Sequence, residues 1–195
     1  MDSFDIESVI EFFNSRAAVW DENMVRNEGA IAAILDCAGI REGIDVLDVA
    51  CGTGVLFADY LNRGVASLTA IDVAPRMARI AQEKFPYVDV ICGNVETWPF
   101  ARKFDSVVVY NAFPHFPDFP RIVRSLASLT KPGGRLTVAH GMSLAQLHAH
   151  HSGAASKISR KMLEPEELAA LMRRYFIVDT ALSDDEKYIV SGVRV

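Results

Sequence analysis

Short β-branched runs alternate with helical patterns through the middle of this chain, and that alternation restricts the fold more than any other feature. It calls for crossover units around a mostly parallel sheet. Five runs read as strands: "IDVLDVA" (44–50), "SLTAID" (67–72), "VDVICG" (88–93), "FDSVVVY" (104–110) and "GRLTVAH" (134–140). Their near-continuous apolar character suits strands covered on both faces. Between them, "APRMARIAQEKF" sets Pro75 in a first turn, repeats apolar residues at Met77, Ile80 and Ala81, and stops at Pro86, which predicts a helix. "DFPRIVRSLASLT" predicts another, with Asp118 as N-cap and a stripe of Ile122, Val123, Leu126 and Leu129 before the "KPGG" break. The end of the chain differs. "PEELAALMRRYF" reads as a helix, and "FIVDTALSDDEKYIVSGVRV" as two strands joined by a tight acidic turn, an antiparallel hairpin. Seven strands result, mostly parallel, with helices on both faces.

The bulk properties narrow the function classes. With 195 residues, half of them hydrophobic, the chain can bury one sizeable core, and no linker or repeat divides it, so residues 1–195 are expected to form a single domain. A formal net charge of -5 gives no general attraction to nucleic acid or anionic lipid. Cys37, Cys51 and Cys92 lie far apart with no CxxC pair, which suits reduced thiols better than a disulfide frame or a zinc site. The acidic start "MDSFDIESVIEFF" lacks the basic flank of a secretory leader, and no run approaches the roughly 18 apolar residues of a membrane span. A cytoplasmic protein with a small partner is expected, as a monomer or homodimer.

One loop interrupts this regular pattern. "VLDVACGTGVL" (46–56) turns within four residues from a buried-looking strand to a glycine-punctuated corner. Gly52 and Gly54 let the backbone turn sharply and admit a ligand close to the main chain, beyond the carboxyl end of the first strand where open sheets bind ligands. A purely structural turn also needs glycine there. A dinucleotide pattern, G-x-G-x-x-G, requires a small third residue, but that place holds Phe57 or Val55 depending on where the count begins. The phosphate-gripping G-x-x-x-x-G-K-[ST] is absent.

The same stretch resembles the first motif of class I S-adenosylmethionine-dependent methyltransferases, D-x-[GA]-x-G-x-G, matched by Asp48, Ala50, Gly52 and Gly54. "AIDVAP" resembles the second motif, in which an acid ending strand two holds both ribose hydroxyls; Asp72 takes that place. "CGNVETWPF" is similar to the third, which contacts adenine, with Asn94 standing where aspartate is usual. An amide oxygen still accepts a hydrogen bond, without the charge-assisted strength. The matches run in order from about 46 to 140. The resemblance implies a Rossmann-like α/β fold, S-adenosyl-L-methionine as cofactor, and a cofactor set of Asp48, Ala50, Cys51, Gly52, Gly54, Asp72, Val73, Asn94, Val95 and Asn111. It implies methyl transfer by direct in-line displacement, much of whose rate comes from positioning.

The acceptor side is less determined. Tyr110, Asn111 and His115 in "YNAFPHFPD" follow the fourth strand and are the candidate catalytic residues, His115 as proton acceptor. Phe113 and Phe116 are candidates to line an apolar pocket or the core. The first 40 residues look helical and form a candidate lid, in which Phe12, Phe13 and Trp20 cover the cofactor and Arg16 meets its carboxylate. "AHGMSLAQLHAHHSGAASKISRKM" follows strand five and supplies a possible cap over 141–163, with His140, His148 and His151 as substrate contacts. No carboxylate or cysteine lies among these histidines, so no metal ligand is assigned, although imidazoles at this spacing leave a metal-binding role open. A cofactor-binding sensor without catalysis is the other alternative.

Overall fold

The computed structural model describes residues 5–150 and 154–195. Seven strands form one sheet: β1 (Asp45–Val49), β2 (Ser67–Asp72), β3 (Asp89–Cys92), β4 (Phe104–Tyr110), β5 (Thr130–His140), β6 (Phe176–Ser183) and β7 (Tyr188–Arg194), in the order β3-β2-β1-β4-β5-β7-β6. The pairs from β3 to β5 are parallel, and β7 runs antiparallel to both β5 and β6. The expected fold class is therefore present, with the hairpin as expected at the C-terminal end. Because the chain steps outward from β1 in both directions, a crevice opens beyond the carboxyl ends of β1 and β4.

The continuous apolar runs are explained by two separate cores. Val46 and Val108 face one way, packing with Ile31, Ile34 and Leu35 of α2 (Glu28–Cys37) and with Phe57 and Tyr60 of α3 (Phe57–Asn62). Leu47, Val49, Val107 and Val109 face the other way, against Ile122, Val123 and Leu126 of α5 (Phe119–Leu129) and Leu168 and Met172 of α7 (Pro165–Met172). A third, smaller cluster joins α1 (Ile6–Arg16) to α4 (Pro75–Lys84) through Phe13, Ala74, Met77 and Ile80. α6 (Leu144–His150) follows β5.

Local chemistry sets the boundaries. The Asp118 carboxylate caps α5 by accepting from Arg121 N–H, as its position predicts, and Asp5 caps α1 in the same way. α3 starts only at Phe57, because Gly54 and the residues after it are spent in turns. β5 starts four residues before the expected strand, since Thr130 pairs with Phe104 across an irregularity that absorbs the "KPGG" turn. α7 ends at Met172 rather than running to Phe176, which is buried as the first residue of β6. Among the described residues no helix is long and apolar enough to cross a membrane.

Candidate active site

The corner after β1 is built from left-handed backbone. Ala50 (φ 56°), Gly52 (φ 56°) and Gly54 (φ 81°) all have positive φ, a conformation that glycine adopts freely and alanine does not. The two glycines do different work. A Cβ on Gly54 would lie 2.8 Å from the buried Phe57 ring, so this glycine lets α3 close on the loop. A Cβ on Gly52 would meet nothing within 4 Å, and Gly52 lines a cavity.

Asp72 ties the corner together. Its Oδ1 accepts from Ala74 N–H and its Oδ2 from Gly52 N–H, each at 2.8 Å, so the carboxylate both turns the chain into α4 and anchors the loop. Burial pushes its pKa up to about 6 against the two backbone donors, which act to lower it. Asp48 is fully enclosed behind the loop, and burial, with the Asp72 charge adding, raises it well above the carboxylate range. The Cys51 thiol is raised by burial and by both carboxylates. A cationic ligand beside this corner would therefore meet groups whose ionisation it favours.

The cavity measures about 920 Å³, at the upper end of the roughly 300–1,000 Å³ of small-molecule sites. It brings together Ala50, Cys51, Gly52, Asp72, Val73, Asn94, Val95, Tyr110, Asn111 and His115, together with Arg16 and Trp20 from the N-terminal segment. Asp48 and Gly54 do not line it; they shape the corner from behind. Asn94 Oδ1 accepts from Glu96 N–H at 2.9 Å, closing a local turn, and Trp98 lies so near Gly93 that a Cβ there would be 2.7 Å from its ring. Asn111, with φ 54°, accepts from Gly141 N–H through its side chain and so joins the ends of β4 and β5. Burial raises the Tyr110 phenol, whose oxygen fills the space a Gly141 side chain would take.

His115 stands where three segments meet. Its Nδ1 lies 3.0 Å from the Ile158 carbonyl and 3.3 Å from Ser159 Oγ, and the Phe13 ring of α1 packs edge-on at 5.0 Å. A carbonyl only accepts, so Nδ1 carries a proton in this arrangement.

Several expected contacts fall elsewhere. Phe113 is buried and stacks on Phe119 at 4.8 Å in the core; Phe116, three residues on, lines the cavity instead. Phe12 lies outside the cavity lining and carries the Arg16 guanidinium on its ring at 3.6 Å, while Val9, Phe13 and Arg16 form the helix face that looks inward. His140 is buried against Tyr188, and His148 Nε2 is 3.1 Å from the Met162 carbonyl; neither lines the cavity. His151 lies outside the described residues. Among the described residues, no group of three or more His, Cys, Asp or Glu is placed to hold a metal. Of the segment 1–40, residues from Asp5 to Arg26 line the cavity, whereas α2 belongs to the core. Sequence reasoning missed the bonds that hold this segment down: Thr53 to Asp21, and Arg26 to Asp59 and to the Val55 carbonyl.

The family model for the methyltransferase domain matches residues 46–134, from the start of β1 to the turn into the parallel half of β5. Residues 46–134, a little under half of the chain, thus resemble a methyltransferase domain. A ubiquinone biosynthesis O-methyltransferase from Xanthomonas axonopodis is 40% identical over 120 residues, covering 58% of this chain and 48% of the relative. A demethylmenaquinone methyltransferase from Renibacterium salmoninarum is 32% identical over 107 residues, covering 54% and 45%. The chain thus spans about half the length of the curated relatives it matches. The N-methyltransferase NodS from Bradyrhizobium japonicum, solved with S-adenosyl-L-homocysteine, superposes with a TM-score of 0.73 at 12% identity, covering 100% of this chain and 99% of that one. The residues at this corner fit a ligand of the kind solved with NodS. The open face of Gly52 is a cradle that any side chain would fill, and the Asp72 carboxylate beside it is a buried acceptor.

Proposed function

We propose that the chain transfers a methyl group from S-adenosylmethionine to a small, largely apolar acceptor. One observation carries this reading: the same cavity is lined by Gly52 and Asp72 of the corner, by the apolar side chains of Val9, Phe13, Phe116 and Met142, and by His115. The cofactor supplies a methyl group on a sulfonium sulfur, already electrophilic, so the protein's task is placement and exclusion of water. Asp72 accepts the sugar hydroxyls, the backbone at Gly52 lies against the ligand, and Asn94 and Val95 border the base. Arg16 offers its charge to a carboxylate.

His115 would take the acceptor's hydroxyl proton on Nε2, while the cofactor would supply the methyl group and keep the S–CH3 bonding pair as a neutral thioether. The bond from Nδ1 to the Ile158 carbonyl supports this assignment, because it leaves the basic nitrogen as Nε2 in the neutral ring. Residues 5–27 and the described parts of the stretch after β5, 141–150 and 154–163, act as covers, and the whole forms one domain. Two relatives are named for ubiquinone biosynthesis and demethylmenaquinone, so hydroxylated quinone-type rings are the first acceptors to try.

The test uses isotopically labelled S-adenosylmethionine with a panel of catechols and hydroxyquinones, and product mass as readout. Methylated product is expected, and His115→Gln should lower kcat by roughly 10²-fold or more with little change in KM. Transfer at the parent rate in that variant removes the proton-acceptor role. Cofactor binding with no product from any acceptor or cell extract favours a binding module instead.

A further inference from the structure

The N-terminal cover is bonded to the loop it covers. The Thr53 hydroxyl, on a residue buried between Gly52 and Gly54, donates to Asp21 Oδ1 at 2.5 Å. Asp21 Oδ2 in turn accepts from Lys84 Nζ of α4 at 2.7 Å. One residue back, Gly52 N–H donates to Asp72 Oδ2 at 2.8 Å. A line of short bonds crossing one peptide link therefore runs from the carboxylate at the cofactor corner to the turn Asp21–Asn23 in the cover. The same cover carries Val9, Phe13 and Arg16 on its inward face, and its Phe13 ring touches His115.

We propose that Asp21 and Thr53 are positioning residues whose bond couples cofactor occupancy of the corner to docking of residues 5–27, so that the acceptor's wall is complete only on the cofactor-loaded protein. The acceptor then binds second. This rests on the proposed cofactor site. A ligand seated on Gly52 and Asp72 removes the alternatives open to a corner rich in left-handed backbone, and so holds Thr53 where Asp21 receives its hydroxyl. The bond is charge-assisted, and losing it leaves a buried hydroxyl without its acceptor. Coupling of this kind is reciprocal: whatever docking adds to cofactor affinity, the cofactor adds to docking. The other ties, Arg26 to Asp59 and Asn14 Oδ1 to Arg76 N–H, keep the cover close when the Thr53 bond opens.

Hydrogen exchange read by mass spectrometry on the full chain, with and without saturating S-adenosylhomocysteine, tests the coupling. In the parent and in Thr53→Ser, the ligand should slow exchange over both 5–27 and 46–56. In Thr53→Val and Asp21→Ala, binding should persist about tenfold weaker, through faster dissociation, with protection kept over 46–56 and lost over 5–27. A merely structural bond would loosen 5–27 in the ligand-free variants and leave the ligand-induced difference in place. Parent-like affinity, or parent-like protection of 5–27 in Thr53→Val, overturns the proposal. So does a parent protein that binds the ligand without protecting 5–27, and that result spares the cofactor reading. A parent that binds no ligand overturns both. Should Thr53→Val fail to fold, Asp21→Ala, which leaves the loop sequence intact, decides the matter.

Discussion

Ala50 carries a conformational penalty that its neighbours avoid. A left-handed alanine costs about 1–2 kcal/mol, partly offset by the entropy that glycine loses on folding. Ala50→Gly is therefore expected to stabilise the fold by about 0.5–1 kcal/mol, seen as a rise in Tm of roughly 1–4 °C. At Asp72 the sign of the pH dependence follows from its raised pKa. The folded protein holds this proton more tightly than the unfolded chain, so the contribution to stability is present below about pH 4 and declines as pH rises towards 6. At the proposed cofactor site ligand binding would run the opposite way, because sugar hydroxyls would donate to the ionised carboxylate. Affinity for S-adenosylhomocysteine should fall about tenfold per unit as pH drops below 6, and Asp72→Asn should flatten that profile, as calorimetric titration across pH would record.

At the scale of elements, hydrophobic period carried most of the information. The central strands were legible because burial on both faces leaves unbroken apolar runs, whereas the edge strand β3, read the same way, is half-buried or exposed; α5 was legible because its stripe and its Asp118 cap agree. The inward face of α1 was also legible: Val9, Phe13 and Arg16 recur at spacings of four and three, which places Phe12 off that face. The burial of His140 follows from its sharing a strand face with Leu136 and Val138. By contrast, the choice between Phe113 and Phe116 was hidden, because both lie at the short 3-10 turn Phe113–His115, where no long helical or strand period applies. That placement has a consequence for stability. Phe113→Ala should lower it by about 3 kcal/mol or more, measured by urea unfolding with unchanged m, while the S-adenosylhomocysteine affinity of the folded protein stays the same. Bonds such as Thr53 to Asp21 were not legible at all, since two polar residues 32 apart carry no shared period.

For the whole molecule, sheet order and site are one argument. The order β3-β2-β1-β4-β5 sends the chain away from β1 on both sides, and the cofactor corner, Asp72 and the β4 loop all follow strand ends at that edge. The fold and the corner proposed to hold the cofactor were readable because their motifs lie next to strand ends in sequence. The acceptor side was not, because α1, the β4 loop and the stretch near Ile158 meet only in space. Everything turns on Asp72 and Gly52 gripping the adenosyl ligand. Isothermal titration of S-adenosylhomocysteine into the parent protein and into Asp72→Ala tests this most directly: binding in the micromolar range, largely lost in the folded variant, is the predicted result, whereas no heat in the parent, or equal affinity in both, contradicts it.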